Sequence, residues 1–185
     1  TGVMAAAAIG RRAGAPDLIT YDMGGTSTDV ALVRGAEPAV SNEIEVEYAM
    51  PIHVPMVDVR TVGAGGGSVV KVNAAGLLQV GPESAGAVPG PICYGRGGTV
   101  PTISDANLVL GRLGPDRLLS VEAPVSLDDV RAVFAERIGA PLGLDAEAAA
   151  AAAIRVANTV MAGAVRMVSV SLGEDPRDFA LLAFG

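Results

Sequence analysis

The sequence is poor in the residues that usually build disulfide frameworks, metal clusters and aromatic cores. It has one cysteine, one histidine and no tryptophan among 185 residues, and aromatic residues make up 3%. The single cysteine, Cys93, excludes an internal disulfide and a multi-cysteine metal site. The single histidine, His53, cannot form a histidine cluster. This sparing use of cysteine favours a reducing compartment, and we predict a cytoplasmic protein.

Positive charge is also scarce, with 13 basic against 20 acidic residues and a net charge of −7. The sequence shows no basic stripe of the kind that binds a phosphate backbone, so we do not expect nucleic acid as a partner. The alanine-rich segment 148–170 is interrupted by Arg155 and Arg166. The stretch of about ten uncharged residues between them is shorter than a bilayer requires. We therefore predict a soluble protein with no membrane partner.

The chain is instead rich in small apolar residues, glycine and proline. Apolar residues make up 50% of the sequence, enough for a core of alanine, valine, leucine and isoleucine. Helical and strand periodicities, in chain order, indicate a mixed α/β fold. They predict a helix at 3–13, strands at 18–21, 29–34 and 40–50 in an antiparallel meander, a long helix at 145–172, and a closing buried strand in "DFALLAFG" (178–185).

The stretch "DLITYDMGGTSTDV" (17–30) places a glycine-rich turn behind a short apolar strand. Gly24 and Gly25 can aim successive backbone N–H groups into one space, and three hydroxyl groups follow, those of Thr26, Ser27 and Thr28. Asp22 would repel a phosphate there unless a divalent cation lay between them, and Mg²⁺ is commonly held in that way. The pattern favours a nucleotide-phosphate and Mg²⁺ turn over the alternative, a plain β-hairpin solvated by its hydroxyl groups.

A second glycine-rich turn, "TVGAGGGSVV" (61–70), lies between two further strand-like runs. Its consecutive glycines indicate close approach to the backbone, either by a ligand or by another segment of the chain. The pattern leaves these two alternatives open.

The segment "GPESAGAVPGPICYGRGG" (81–98) reads as a rigid, irregular loop, because proline and apolar residues punctuate its glycines. For Cys93 we favour a buried thiol over a nucleophile, since no partner base accompanies it. Arg96 could meet an anionic ligand or pair with a surface acid. For Asp105, in "PTISDAN", helix capping is the favoured interpretation.

Four segments, "DMGGTSTDV", "GAGGGS", "GPESAGAVPGPICYGRGG" and "PTISDANLVLGRL", follow one another in the order typical of the hydantoinase A/5-oxoprolinase family. That family also includes subunits of ATP-dependent acetone and acetophenone carboxylases. The resemblance implies an actin-like ATPase lobe of ribonuclease H-like fold. Proteins of this fold have two such lobes. Residues 1–50 and 102–185 would form the second one, with a Gly/Pro-rich β insertion at 51–101. It also implies a fragment of a longer chain whose N-terminal lobe is missing here.

The function that this resemblance implies is ATP-dependent opening of a cyclic amide, 5-oxoproline or a hydantoin, through phosphoryl activation of the carbonyl oxygen. ATP and Mg²⁺ would be the cofactors, and a hydantoinase B-type subunit a possible partner. Asp22 and Asp29 would be catalytic, with Asp22 also the metal ligand. The implied cofactor-binding residues are Gly24, Gly25, Thr26, Ser27, Thr28, Gly65, Gly66, Gly67 and Ser68.

Two alternatives remain: a subunit of an ATP-dependent ketone carboxylase, and a non-catalytic actin-like nucleotide-binding module. We expect no turnover from the 185 residues alone, because one lobe offers half of a phosphate clamp. Many relatives carry histidine where this chain has Arg60. The substrate is therefore left open.

Overall fold

A computed structural model of the chain describes residues 2–41, 44–46, 50–52, 56–114 and 125–185, without the side chains of 44–46 and 50–52. It is a mixed α/β structure, as predicted. Its strands are β1 (Leu18–Met23), β2 (Thr28–Arg34), β3 (Glu37–Pro38), β4 (Val40–Ser41), β5 (Ile44–Val46), β6 (Met50–Ile52), β7 (Met56–Val57), β8 (Val59–Val62), β9 (Ser68–Val72), β10 (Leu78–Ser84) and β11 (Ala180–Phe184). Its α-helices are α1 (Gly2–Ala13), α2 (Ile103–Val109), α3 (Leu127–Phe134), α4 (Ala140–Leu142) and α5 (Ala146–Val168).

The main sheet has the order β11-β1-β2-β3, and β8 also pairs with β2. β1 and β11 run parallel, with Leu18 opposite Ala180 and Asp22 opposite Phe184. Only residues 24–27 join β1 to β2, and so short a connection requires antiparallel strands. Antiparallel pairs of β9 with β10, β4 with β7 and β5 with β6 complete the described strands.

The turn from β2 to β3 is a two-residue hairpin. Gly35 and Ala36 have φ of 60° and 61°, the left-handed values that match the twist of the flanking strands. The predicted strands at 18–21 and 29–34 are confirmed as β1 and β2. The third strand of the predicted meander, at 40–50, is wrong, because Glu37–Pro38 follows β2 in the main sheet instead. Alternation of apolar and polar residues predicts a half-exposed strand, but it does not show which strand it pairs with. Here β4 pairs with β7 and β5 pairs with β6, and neither joins the main sheet.

The chain divides into two compact units. The first comprises residues up to Met23, Asp29–Thr61 and Ala162–Gly185, and the second comprises Gly24–Thr28 and Val62–Met161. In the first unit, α1 packs on the sheet through a buried cluster of Ala6, Ala7, Leu18 and Val33. The predicted domain boundaries, 1–50 and 102–185 around 51–101, stay a prediction.

The core of the second unit combines large aliphatic side chains with many alanines. Phe134 heads its fully buried side chains, which also include Ile103, Leu108, Val130 and Ile138. Ala149, Ala150 and Ala153 of α5 are 0% exposed, so this helix presents alanine methyl groups to its neighbours. The low aromatic content is therefore accommodated by close backbone packing.

Among the described residues, one helical stretch, Ala146–Leu172, is long and apolar enough to cross a membrane by length and composition. The core helix of a soluble protein meets the same criteria, and 39% of its most apolar window is buried inside the protein.

The prediction of a buried final strand is wrong. β11 pairs with β1 on one side and lies at the edge of the described sheet. Leu181 is 61% exposed and Phe184 36% exposed. A continuous apolar run predicts a strand, but it does not determine whether another layer covers that strand.

Candidate functional site

The first glycine-rich turn joins β1 to β2 and is open on its outer side. Within it, the Gly24 amide donates to the Ser27 carbonyl oxygen at 2.9 Å. The next three amides, those of Gly25, Thr26 and Ser27, donate to no described residue. A Cβ atom built on Gly25 would meet nothing within 4 Å. The turn therefore presents consecutive free N–H groups, an arrangement that binds anions.

The second glycine-rich turn packs directly on the first. The Gly66 amide donates to the Gly24 carbonyl oxygen at 3.0 Å, and the Gly67 amide donates to that of Gly25 at 2.6 Å. A Cβ atom on Gly65 would lie 2.7 Å from the Gly24 carbonyl oxygen, which is too close for any side chain. Of the two alternatives that the sequence left open, the structure shows close approach by another segment. We call this contact the turn interlock.

Two of the predicted cofactor-binding hydroxyl groups lie inside the protein. Thr28 is 0% exposed, and its Oγ1 donates to the Ala64 carbonyl oxygen at 2.6 Å. Ser68 is also 0% exposed, and its Oγ accepts from the Gly65 amide at 2.8 Å. Both hydroxyl groups brace the turn interlock, and their cofactor-binding role stays a prediction.

A concave space of about 200 Å³ opens beside the two turns. We call it the turn pocket, and it is lined by Gly25, Thr26, Gly67, Gly86, Ala87, Pro91 and Tyr94. None of these side chains carries a charge at neutral pH. Anion binding in this pocket would therefore depend on N–H and O–H donors.

The two predicted catalytic carboxylates line one cavity of the first unit. This acid pocket has a volume of about 160 Å³, and its lining is Gly2, Val3, Thr20, Asp22, Asp29, Val59 and Phe184. Thr61 Oγ1 donates to Asp29 Oδ1 at 2.6 Å. The Asp22 carboxylate forms no hydrogen bond or ion pair with any described residue. The structure thus brings Asp22 and Asp29 together and leaves Asp22 available to a ligand.

The acid pocket fits a magnesium ion that arrives with phosphate. Mg²⁺ takes oxygen ligands and is commonly held by one or two carboxylates, while substrate phosphates and waters complete its shell. Asp22 and Asp29 supply two carboxylates. In the part of the chain that the structure describes, no three His, Cys, Asp or Glu side chains lie close enough together to hold a metal ion. These residues therefore form no metal site made of protein ligands alone.

Arg60, where the family resemblance led us to expect histidine, lies on β8. Arg60 is exposed, and its Nε pairs with Asp58 Oδ1 at 3.2 Å. The preceding residue, Val59, lines the acid pocket. Because side chains alternate along a strand, Arg60 lies on the opposite face. A change at residue 60 therefore alters the outer face of β8. His53 lies outside the described residues.

A buried aspartate ties the 81–98 loop to α2. Asp105 is 0% exposed. Its Oδ1 accepts from the Cys93 amide at 2.7 Å, and its Oδ2 accepts from the Ile92 amide at 3.2 Å. Oδ2 also accepts from the Thr102 amide at 2.9 Å and from Thr102 Oγ1 at 2.8 Å. The predicted capping role is confirmed, with Thr102 as the N-cap. The loop contact was missed, because nothing in the spacing signals it.

The structure also shows the surroundings of Cys93 and Arg96, the two loop residues considered in the sequence analysis. Cys93 is a free thiol and 2% exposed. Its burial, together with the nearby Asp105 carboxylate, raises its pKa well above the usual range. The prediction of a buried thiol is confirmed, since a neutral thiol is a poor nucleophile. Arg96 donates from Nη1 to the Ala87 carbonyl oxygen at 3.3 Å.

Comparison with known proteins shows one consistent group of relatives. The sequence profile of the family described as Hydantoinase/oxoprolinase matches residues 1–185. Caprolactamase subunit alpha of Pseudomonas jessenii is 45% identical over 177 residues, covering 93% of this chain and 25% of that protein. The acetophenone carboxylase gamma subunit of Aromatoleum aromaticum is 39% identical over 187 residues, covering 100% of this chain and 25% of that protein.

A solved structure agrees with these sequence matches. The crystal structure of the ATP-dependent caprolactamase from Pseudomonas jessenii superposes with a TM-score of 0.88 at 41% sequence identity. The match covers 98% of this chain and 26% of that chain. The chain thus spans about a quarter of the length of the relatives named here.

The turn interlock predicts that Gly65→Ala destabilises the protein. The added methyl group would overlap the backbone of the first turn, and overpacking of this kind typically costs roughly 1–3 kcal/mol. Urea unfolding of the intact protein measures the loss. Gly25→Ala is the matched control, because its methyl group enters open space. Equal stability of both variants would contradict the interlock.

The buried thiol predicts a pH-dependent contribution to stability. Because the pKa of Cys93 is raised in the folded protein, unfolding above the pKa of a free thiol, about 8.5, releases a proton that the folded state retains. This contribution is complete below that pH and falls by up to about 1.4 kcal/mol per pH unit above it. The free energy of unfolding of the wild type, relative to Cys93→Ala, should therefore decrease between pH 8 and pH 10. A constant difference would show that the thiol titrates normally.

Proposed function

The chain belongs to the hydantoinase/oxoprolinase family, and on that premise we propose that it is the phosphate-binding part of an enzyme that opens a cyclic amide with ATP. The observation that carries this proposal is the row of free amides at Gly25, Thr26 and Ser27 beside the turn pocket. We further propose that the chain forms one actin-like lobe of ribonuclease H-like fold. The strand–turn–strand arrangement of β1 and β2 around the glycine-rich turn supports that assignment.

A cyclic amide resists hydrolysis because its carbonyl group is resonance-stabilised and its nitrogen is a poor leaving group. A phosphoryl group supplied by bound ATP would activate the carbonyl carbon toward water. Addition of water and cleavage of the C–N bond, with the nitrogen leaving as the amine, would open the ring as an acyl phosphate. A second water would hydrolyse this acyl phosphate to the carboxylate and phosphate. For phosphoryl transfer, a protein contributes mainly positioning and charge stabilisation. The free amides of the first turn and the Thr26 hydroxyl would donate to phosphate oxygens.

The acid pocket would hold the magnesium ion that such a reaction uses. When bound, Mg²⁺ neutralises phosphate charge. Asp22 is free to ligate it, and Asp29 is oriented by its hydrogen bond from Thr61. A carboxylate held in one orientation pays less entropy on binding a cation than a freely rotating one. Asp22 lies two residues before Gly24, the first residue of the proposed phosphate-binding turn.

A second candidate function is that of a ketone carboxylase subunit. The identity of 39% to the acetophenone carboxylase gamma subunit over the whole chain favours it. That function would use the same turn and the same acids to transfer phosphate to a different oxygen. We place the cyclic amidohydrolase first, because identity to the caprolactamase subunit is higher, at 45%. Both relatives are named as subunits, so we also propose a partner subunit.

A substrate panel tests the proposed function. We expect ATP hydrolysis by the intact protein with its partner subunit to rise when a lactam, 5-oxoproline or a hydantoin is added. The ring-opened product should appear together with ADP, because ring opening and phosphoryl transfer are coupled. ATP hydrolysis that rises only with a ketone plus bicarbonate would establish the second candidate instead. Indifference to every compound in the panel would refute both.

Replacement of Asp22 tests the proposed cation site. Asp22→Asn removes the free carboxylate charge, and we expect it to lower substrate-dependent ATP hydrolysis by at least roughly 100-fold. Raised Mg²⁺ should restore part of the activity, since the lost step is cation binding. Asp178→Asn is the matched control, because Asp178 is exposed and lies outside the acid pocket. Near-normal turnover by Asp22→Asn would reject the assignment.

A further inference from the structure

We propose that Asp105 is a positioning residue whose buried carboxylate fixes the wall of the turn pocket and thereby sets the affinity for ATP. This inference rests on the proposed function of that pocket. Asp105 touches no ligand in this scheme, since it is fully buried and absent from the pocket lining. Its effect is carried by the loop that it holds.

The loop segment held by Asp105 is the one that supplies the pocket wall. Ile92 and Cys93, whose amides donate to the two carboxylate oxygens, lie in a short 3-10 turn, Ile92–Tyr94. Pro91 before them and Tyr94 at the end of the turn both line the turn pocket. Holding the two central amides therefore fixes the residues on either side.

Few other hydrogen bonds anchor this segment. The Tyr94 amide donates to the Pro91 carbonyl oxygen and the Gly95 amide to that of Ile92, so both bonds stay within the loop. For the amides of residues 91–95, Asp105 is the only acceptor outside the loop within the described part of the chain. Ile92 and Cys93 are also buried, but the amide hydrogen bonds that join this segment to α2 all run through the Asp105 side chain.

A simple helix cap does not require a carboxylate at this position. Asp105 has no ion-pair partner among the described residues, and burying an unpaired charge is costly unless hydrogen bonds compensate it. Thr102 already supplies the N-cap oxygen of α2. The two loop amides help to compensate the buried charge, and charge-assisted hydrogen bonds are roughly twice as strong as neutral ones. The carboxylate thus adds to the helix cap two strong hydrogen bonds from the loop amides of Ile92 and Cys93.

Loss of the hydrogen bonds between Asp105 and the loop should reduce the affinity for ATP more than it reduces turnover. A loop that samples other positions leaves the pocket formed for only a fraction of the time, and the apparent dissociation constant rises by the inverse of that fraction. Once ATP is bound, the wall is in place and the chemical step proceeds from the same geometry. The expected signature is a raised KM for ATP with little change in kcat.

The test compares Asp105→Asn with Thr102→Val in the intact protein. An asparagine keeps one acceptor oxygen but turns an NH₂ group toward backbone donors. We expect its KM for ATP to rise at least about tenfold while kcat changes by less than about threefold. The Cys93 thiol should react with a thiol reagent at least about tenfold faster, because the loop opens and because the carboxylate that helps to raise the thiol pKa is removed. Thr102→Val removes the cap hydroxyl but keeps both loop bonds, so both readouts should stay near the wild-type values.

A measurement on the wild type covers the case in which Asp105→Asn fails to fold. The amides of Ile92 and Cys93 should be strongly protected in hydrogen exchange, because their acceptor is a buried carboxylate. Rapid exchange of these two amides would overturn the proposal without any variant. Equal thiol reactivity of Asp105→Asn and Thr102→Val would overturn it as well.

Gly25→Ala separates failure of this inference from failure of the proposed function. Its methyl group would enter the turn pocket directly, independently of Asp105, and should raise the KM for ATP. If Gly25→Ala raises this KM while Asp105→Asn leaves it unchanged, the positioning role is refuted and the proposed function stands. If neither variant changes the KM for ATP, the turn pocket does not bind ATP and both proposals are refuted.

Discussion

The turn pocket depends on the contact between the backbones of the two glycine-rich turns. The carbonyl groups of Gly24 and Gly25 accept hydrogen bonds from the second turn. In a planar trans peptide, the carbonyl group points opposite to the N–H group of the next residue. The amides of Gly25 and Thr26 are therefore aimed away from the second turn. The interlock thus both fixes the first turn and frees its donors.

Buried polar groups hold the loops around this pocket in place of a large apolar core. Thr28, Ser68 and Asp105 are all 0% exposed, and each has a hydrogen-bond partner in a backbone segment near the pocket. Sites built on loops are less precise than sites built on helices or strands, unless supporting hydrogen bonds lock them. A chain with few aromatic residues obtains that support from satisfied polar contacts and from glycines that let backbones approach closely.

Local features of this chain could be predicted from its sequence, whereas contacts between distant segments could not. The turn after Asp22, flanked by β1 and β2, follows from an apolar run, two glycines and a second strand. The interlock does not, because backbone contacts with Gly65 leave no trace in spacing. Gly139 shows the same limit, because nothing in the local pattern signals which segment packs against it. That glycine is needed because the Leu144 carbonyl group lies against it.

The charge distribution makes a divalent cation necessary for the proposed chemistry. Neither pocket is lined by lysine or arginine, and the chain carries a net charge of −7. A polyphosphate at the turn pocket would meet peptide dipoles, which carry partial charges. A cation in the acid pocket would meet two carboxylates. In the proposed function, Asp22 and Asp29 would therefore act as ligands of the cation and would not contact phosphate themselves.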